Sequence, residues 1–365
     1  MKLIFVVGTR PNLMKLAPMV KRAKKYNIDY KIIHTGQHYS ENLNDVFFKV
    51  LGLPDPDYNL EIHGGFPPEV VGDIMKKIHP ILTSENPDYL VVFGDVSSTV
   101  GAAMAALYLN IKIIHVESGL RSGDWTMPEE VNRIITDRIS TLRFVSEPSG
   151  MKNLKKEGLS KNSYLVGNVM INNLIDMTTD IDKQSLITQG DFGIVTFHRP
   201  ANVDDKENLE KIASIIEKIC KNTKVVFPIH PRTVKKLEEF NLIGKMRQNK
   251  NLIITEPMDY LKFIKHVKNA KFVLTDSGGI QEETTYLGVP CITLRTTTER
   301  PITTKIGTNT LVKELDAKKI TAIIKTILNN KYKTGQIPDM WDDKVADRIY
   351  ETLGGKHESI NDIGT

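Results

Sequence analysis

Short apolar runs alternate with helix-length amphipathic stretches along all 365 residues, and no other feature constrains the fold as strongly. A parallel strand buried on both faces reads as a continuous apolar run, and its parallel neighbour is reached only through a crossover, usually a helix. Runs of this kind stand at 3–7, 30–34, 89–93, 111–116 and 142–145, with helical patterns near 13–26, 68–85, 98–109 and 129–140. A polar stretch over 178–190 carries no clear strand, and the alternation then begins afresh. Strands are expected there at 192–197, 224–228, 251–255, 272–275 and 290–294, and helices at 206–221, 260–268, 279–287 and 317–329. The fold class is therefore α/β, with two doubly wound Rossmann-like domains. A chain of this length exceeds what one hydrophobic core usually supports. The expected division is 1–177 and 191–340, joined by a linker at 178–190, with a further helix at 341–353.

Bulk properties exclude several classes. The balance of 49 basic and 44 acidic residues gives a net charge of +5. Its lysines are scattered, which suits anionic ligands but lacks the dense basic stripe of a nucleic-acid binder. No segment approaches the apolar length of a membrane span, and the opening MKLIFVVGTRPN reaches Gly8 and Pro11 before any signal-peptide pattern completes. Cys220 and Cys291 both fall in apolar surroundings and read as small buried hydrophobes, so the expected location is cytoplasmic.

Ligands of doubly wound sheets sit beyond the carboxyl ends of the strands, so the residues following each strand carry the functional information. Those residues are VGTRP, FGDVSST and HVESGLRSGD in the first half, and TFHRP, FPIHPRT and TDSGGIQEE in the second. Asp276, Ser277, Gly278 and Gly279 precede a helical pattern, which places backbone N–H groups where phosphate binds, or where an ordinary N-cap forms. Glu283, one turn on, could reach a ribose hydroxyl pair. No GxGxxG follows the first strand, so a nicotinamide cofactor is not expected. Arg10 and Lys15 suit an anion there. Asp95, Glu117 and Glu129 follow the third and fourth strands and form a candidate acid–base set. His198, Arg199 and Arg300 could complement a diphosphate. His230 also follows a strand, but no histidine pair has zinc-site spacing and neither HExxH nor CxxC occurs, so no metal is expected.

The segments GTRPNLMKLAP, TGQH, FGDVSST, HVESGLRSGD, PEEVNR, FHR, HPRT, TDSGGIQEE and TTERP stand in the order characteristic of non-hydrolysing UDP-N-acetylglucosamine 2-epimerases, which the chain resembles over most of its length. The resemblance implies a glycosyltransferase-B architecture, with a cleft between the two domains and a last helix returning to the first. It implies reversible conversion of UDP-N-acetylglucosamine to UDP-N-acetylmannosamine, by a cytoplasmic homodimer and without a cofactor. By position it places Arg10, His198, Ser277, Gly278, Gly279 and Glu283 around UDP, with Phe263 near the uracil and Arg300 as a further phosphate contact. Lys15, Asp95, Glu117, Glu129 and His198 match positions tied to the sugar and its chemistry. A regulatory substrate site in bacterial relatives would correspond to Gln37, His38, Arg199 and His230.

This chain departs from the family pattern in three places. Asn12 stands where family members commonly carry Glu, HRPAN lacks a second Arg and Glu, and GGFPP at 64–68 lacks the polar residues expected near a regulatory site. The competing readings are a 2-epimerase of another UDP-2-acetamido sugar such as a diacetamido uronate, a hydrolysing epimerase, a UDP-sugar glycosyltransferase and a non-catalytic nucleotide-sugar sensor.

Overall fold

The computed structural model describes residues 1–36 and 47–355; Gln37 and His38 lie outside the described residues. The chain divides into two compact units, one of Met1–Asp176 together with the chain from Asp339 on, the other of Met177–Pro338.

Among the described residues the first unit holds seven parallel strands: β1 (Lys2–Val7), β2 (Asp29–His34), β3 (Tyr58–Asn59), β4 (Tyr89–Phe93), β5 (Lys112–Ser118), β6 (Leu142–Val145) and β7 (Ser163–Leu165). Their order is β3-β2-β1-β4-β5-β6-β7. The two-residue period of a strand sorts β1 between two cores. Leu3, Phe5 and Val7 pack with Leu13 and Leu16 on one face, while Ile4 and Val6 pack with Ile74, Ile78 and Ala102 on the other.

The second unit repeats the plan with β8 (Phe192–Thr196), β9 (Lys224–Pro228), β10 (Leu252–Thr255), β11 (Phe272–Thr275), β12 (Cys291–Leu294) and β13 (Asn309–Val312), in the order β10-β9-β8-β11-β12-β13. Here Phe192, Ile194 and Val226 face one core, and Val195, Val225 and Phe227 the other. Strand order reverses between β1 and β4 in one unit and between β8 and β11 in the other. Those are the switch points beside which a doubly wound sheet opens a crevice.

Every strand read from the sequence is present, and the differences lie at edges. Strands β3, β7 and β13 were not expected from the sequence. They are short: β7 and β13 each hold a single apolar pair, Tyr164–Leu165 and Leu311–Val312, and β3 holds none. Among the helices not expected are Pro148–Lys156, Val169–Asp176 and Pro231–Glu239. The stretch read as a linker contains a helix at Thr178–Asp182, and the last helix starts at Val345.

That last helix, Val345–Leu353, buries Val345, Ala346, Ile349 and Tyr350 in the same core as Leu13 and Leu16. The Tyr350 hydroxyl donates to the Met19 carbonyl at 2.8 Å, and the Arg22 guanidinium binds Asp347 at 2.8 Å and Asp176 at 2.7 Å. Trp341 Nε1 donates to Ser146 O at 3.1 Å. Tyr350→Ala is expected to lower stability by about 3–5 kcal/mol through the cavity it leaves. Tyr350→Phe loses only the hydrogen bond, about 1 kcal/mol. Urea unfolding midpoints of the two variants check this ordering.

Candidate active site

In the first unit the polar groups gather beyond β1, β4 and β5. The turn after β1 needs Gly8, because a Cβ there would lie 2.0 Å from the Ser98 hydroxyl and 2.4 Å from that of Thr35. The helix Arg10–Ala23 follows at once, with no side chain capping it at Thr9. Asn12 is buried in the first turn, where its amide accepts from Gly8 N–H at 3.3 Å and donates to the Phe93 carbonyl at 3.0 Å. One turn on, Lys15 is buried, and its ammonium lies 2.8 Å from Glu117 Oε1. Gly94 is what lets that ammonium approach: its φ is +64°, and a Cβ there would lie 2.8 Å from Lys15 Nζ. Arg10 is exposed at the helix start with its guanidinium over the Phe47 ring, 5.2 Å from the centroid.

Glu117 sits on a β-bulge, where the pairing of β5 with β6 shifts between Val116 and Ser118. Its φ is +72°, a left-handed conformation that a non-glycine residue adopts only at some cost. The surroundings impose it. Ser118 Oγ donates to the His115 carbonyl at 2.7 Å, and the His115 ring bridges Asp137 Oδ1 and the Gly94 carbonyl, each at 2.7 Å. Asp137 is fully buried. Burial pushes its carboxyl up, but His115 and Arg121 outweigh that and hold it below its ordinary range.

Asp95, partly exposed, forms an ion pair with Arg133, which also binds Glu130. Glu130 in turn accepts from Ser122 N–H at 2.9 Å and Gly123 N–H at 2.8 Å. The pair of glutamates at the start of the helix Pro128–Ile139 therefore divides: Glu130 is buried and grips the preceding loop, whereas Glu129 is exposed. Sequence reading singled out Glu129 and passed over Glu130, Arg133 and Asp137. The i,i+3 spacing of Glu130 and Arg133 within PEEVNR was the available signal.

In the second unit the focus is Asp276, directly after β11 and fully buried. It accepts from the backbone N–H of His198 at 3.1 Å and of Arg199 at 2.9 Å, and from Asn202 Nδ2 at 3.0 Å, and it faces His198 Nδ1 at 2.9 Å. Burial pushes this carboxyl up, yet His198 and the other donors hold it below its ordinary range. Ser277, Gly278 and Gly279 follow and open the helix Gly279–Leu287. A Cβ at Gly278 would lie 2.9 Å from Arg300 Nη1. Arg300, expected as a phosphate contact, is buried and bound to Glu282 at 2.9 Å and to Glu299, which Arg295 also binds at 2.9 Å. His230 caps the helix Pro231–Glu239 by accepting from Arg232 N–H at 3.2 Å, and its ring centroid is 6.0 Å from that of His198. Phe263 is half-buried on the helix Tyr260–Asn269.

Glu283 is buried beside Tyr260, and its carboxyl is pushed up to about 8 by that burial and by neighbouring Glu282, against the hydrogen bond from Tyr260. An unfolded chain releases this proton near the ordinary value of 4.5. Between that pH and about 8 the folded state holds a proton that the unfolded state lacks, so this group makes stability fall as pH rises. Glu283→Gln is expected to remove the fall, gaining on the order of a few kcal/mol relative to the parent at the upper end of the window. Urea midpoints of both proteins at the two ends of the window measure it.

Among the described residues no group of three or more His, Cys, Asp or Glu side chains is disposed to hold a metal ion, and no helix is long and apolar enough to cross a membrane.

Residues 21–354 match the sequence model of the family described as UDP-N-acetylglucosamine 2-epimerase. The chain is 42% identical to UDP-N-acetylglucosamine 2-epimerase of Methanocaldococcus jannaschii over 97% of its own length and 99% of the relative's. It is 36% identical to UDP-2,3-diacetamido-2,3-dideoxy-D-glucuronate 2-epimerase of Pseudomonas aeruginosa over 86% and 88%. The crystal structure of the Methanocaldococcus jannaschii enzyme in complex with UDP-GlcNAc and UDP superposes with a TM-score of 0.87 at 40% identity, covering 97% of this chain and all of the other.

Proposed function

The chain belongs to the UDP-N-acetylglucosamine 2-epimerase family, and from that premise we propose that it interconverts UDP-N-acetylglucosamine and UDP-N-acetylmannosamine by eliminating and re-adding UDP. The observation that carries the reading is the cluster beyond β1, β4 and β5, where Lys15 meets Glu117 and Asp95 meets Arg133. The activity is supported by a relative at 42% identity over nearly the whole of both chains.

The chemistry follows from the substrate. The hydrogen on carbon 2 has no adjacent carbonyl to acidify it, so direct exchange would be very slow. If a base removes that proton as the bond from carbon 1 to the diphosphate oxygen breaks, UDP departs with the bonding electron pair. The sugar is left as 2-acetamidoglucal. Protonation of carbon 2 on the opposite face and return of UDP to carbon 1 then give the epimer. The route asks for acid–base groups serving both faces of the sugar and for donors that meet the charge developing on UDP.

Asp95, Glu117 and Glu129 share the proton transfers, and Lys15 orients Glu117. Arg10, His198 and the Ser277–Gly278–Gly279 turn hold departing UDP, Glu283 takes the ribose, Phe263 lies near the uracil, and Arg300 stiffens the turn through Gly278. Arg199 and His230 are the described candidates for a regulatory anion site, of which Gln37 and His38 would be the remainder. The enzyme acts in the cytoplasm as a homodimer. In support of the dimer, the large apolar side chains of Leu107 and Tyr108 are exposed at the end of the helix Ser97–Tyr108.

A second reading, epimerisation of a UDP-diacetamido uronate, is favoured by the Pseudomonas aeruginosa relative. Proton NMR of the enzyme with each UDP-sugar in deuterium oxide decides between them. The expected result is UDP-N-acetylmannosamine carrying deuterium at carbon 2. Turnover of the uronate alone would replace the substrate assignment, and release of the free sugar would mean hydrolysis.

Asp95→Asn, Glu117→Gln and Glu129→Gln are each expected to slow deuterium uptake by about 10²–10⁴-fold. UDP affinity by calorimetry should stay near that of the parent enzyme. A pure nucleotide-sugar sensor would show neither turnover nor this dependence.

A further inference from the structure

Asp276 joins two strand ends that the sequence holds far apart. It follows β11 directly and is fully buried, yet its carboxylate receives the backbone N–H groups of His198 and Arg199 beyond β8, as well as Asn202 Nδ2. The same carboxylate faces His198 Nδ1 at 2.9 Å. An ionised carboxylate can only accept hydrogen bonds, so a proton on the imidazole nitrogen 2.9 Å away is the form of the ring that suits this approach. Nδ1 is thereby committed inward. The His198 side chain is 44% exposed while Asp276 is 0% exposed, so the Nε2 edge of the ring is the one presented to solvent. Asp276 is also the residue immediately before Ser277, so one side chain sets where the ring stands relative to the turn at Ser277–Gly279.

Resting on the reading of His198 as a group that meets departing UDP, we propose that Asp276 is a positioning residue for the reaction. It fixes the tautomer and direction of the His198 ring so that Nε2 meets the diphosphate. The proton count gives this content. With the Nδ1 proton held against Asp276, a donor at Nε2 exists only when the ring carries protons on both nitrogens. His198 therefore acts as a charged donor, meeting the negative charge that UDP gains as its bond to carbon 1 breaks. Loss of the Asp276 charge frees the ring to rotate and to take the Nε2–H tautomer, which leaves Nδ1 without its proton and the ring without its direction.

The test uses the full-length enzyme with ¹⁵N-labelled histidine. In the neutral ring of the parent protein the nitrogen shifts of His198 should report the Nδ1–H tautomer, and added UDP should protonate both nitrogens. In Asp276→Asn the neutral ring should revert to the Nε2–H form. That variant should lose on the order of 100-fold in kcat with KM changed by less than about threefold, since an orienting group acts mainly in the transition state. His198→Ala should lose a similar factor, and combining the two substitutions should lose no more than His198→Ala alone. An Nε2–H tautomer in the parent protein overturns the proposal, and so do losses that multiply in the double variant. The parent spectrum needs no substitution, so an Asp276→Asn protein that fails to fold still leaves the proposal open to refutation. Failure of the underlying functional reading is seen separately, as a parent enzyme that puts no deuterium at carbon 2 of any UDP-sugar offered. That outcome removes the premise whatever the nitrogen shifts report.

Discussion

A strand packed between two layers of helices has no face on which a charge can rest. In β1 the alternating residues Leu3, Phe5 and Val7 enter one core and Ile4 and Val6 the other, and in β8 and β9 the same alternation repeats. Burying an uncompensated charge in either core would cost on the order of several kcal/mol, a large part of the net stability of a fold. Charged side chains therefore concentrate towards the ends of strands, and Arg143 within β6 is buried only with its guanidinium bound to Ser163 and to the carbonyls of Asp137, Ser140 and Lys161. Because all strands of each sheet are parallel, their carboxyl ends share one edge, and the reversal of strand order at β1 and β4, and at β8 and β11, opens a crevice there. Lys15 meets Glu117 and Asp95 meets Arg133 in one unit, and His198 meets Asp276 in the other, for this reason before any chemistry is asked of them.

Once gathered, these groups are held rigidly. Glu117 keeps a left-handed backbone, a conformation that costs on the order of 1–3 kcal/mol and that the bulge, the Lys15 ion pair and the Ser118 hydrogen bonds enforce. Beneath Gly278 the buried set of Glu282, Arg295, Glu299 and Arg300 does similar work. Burial pushes the Glu299 carboxyl up, but the two guanidinium groups draw it well below its ordinary range, so it stays charged. Buried ion pairs contribute little net stability compared with well-packed apolar residues. Their effect here is positional: the ion pairs fix the side chains that pack against Gly278.

The limits of reading this chain follow from the same physics. Strands buried on both faces announce themselves, and every one of them was legible. Tyr58–Asn59 and Ser163–Leu165 were not, because an edge strand of two or three residues needs no apolar run, and its pairing is decided by the sheet it joins. Of the residues singled out from the sequence, Asp95 and His198 stand just past a strand, Glu117 near the end of β5 and Lys15 in the helix that follows β1. Their partners were less legible. Arg133 binds Asp95 from a helix 38 positions on, and Asp276 reaches His198 across 78. Such distances in sequence carry no periodicity to read. The inversion of Glu117 is equally silent, since HVES continues an apolar strand on paper and only the pairing with β6 reveals the extra residue.

The two units differ in what they gather, and the difference bears on the reaction more than the shared architecture does. Fold alone leaves epimerase and glycosyltransferase level, since function resides in the groups a fold carries. The second unit offers a helix start opened by small residues, a histidine backed by a buried carboxylate, and a buried acid beside Tyr260, all of which any UDP-sugar enzyme could use. The first unit offers Asp95 and Glu117, each in a bond to a cation, with Glu129 exposed nearby in sequence. A transferase that moves the sugar to an acceptor has no proton to exchange at carbon 2, and such a set would be surplus to it. An epimerase that removes a proton from one face and delivers it to the other requires acid–base groups for both, which is the role proposed for the carboxylates of the first unit.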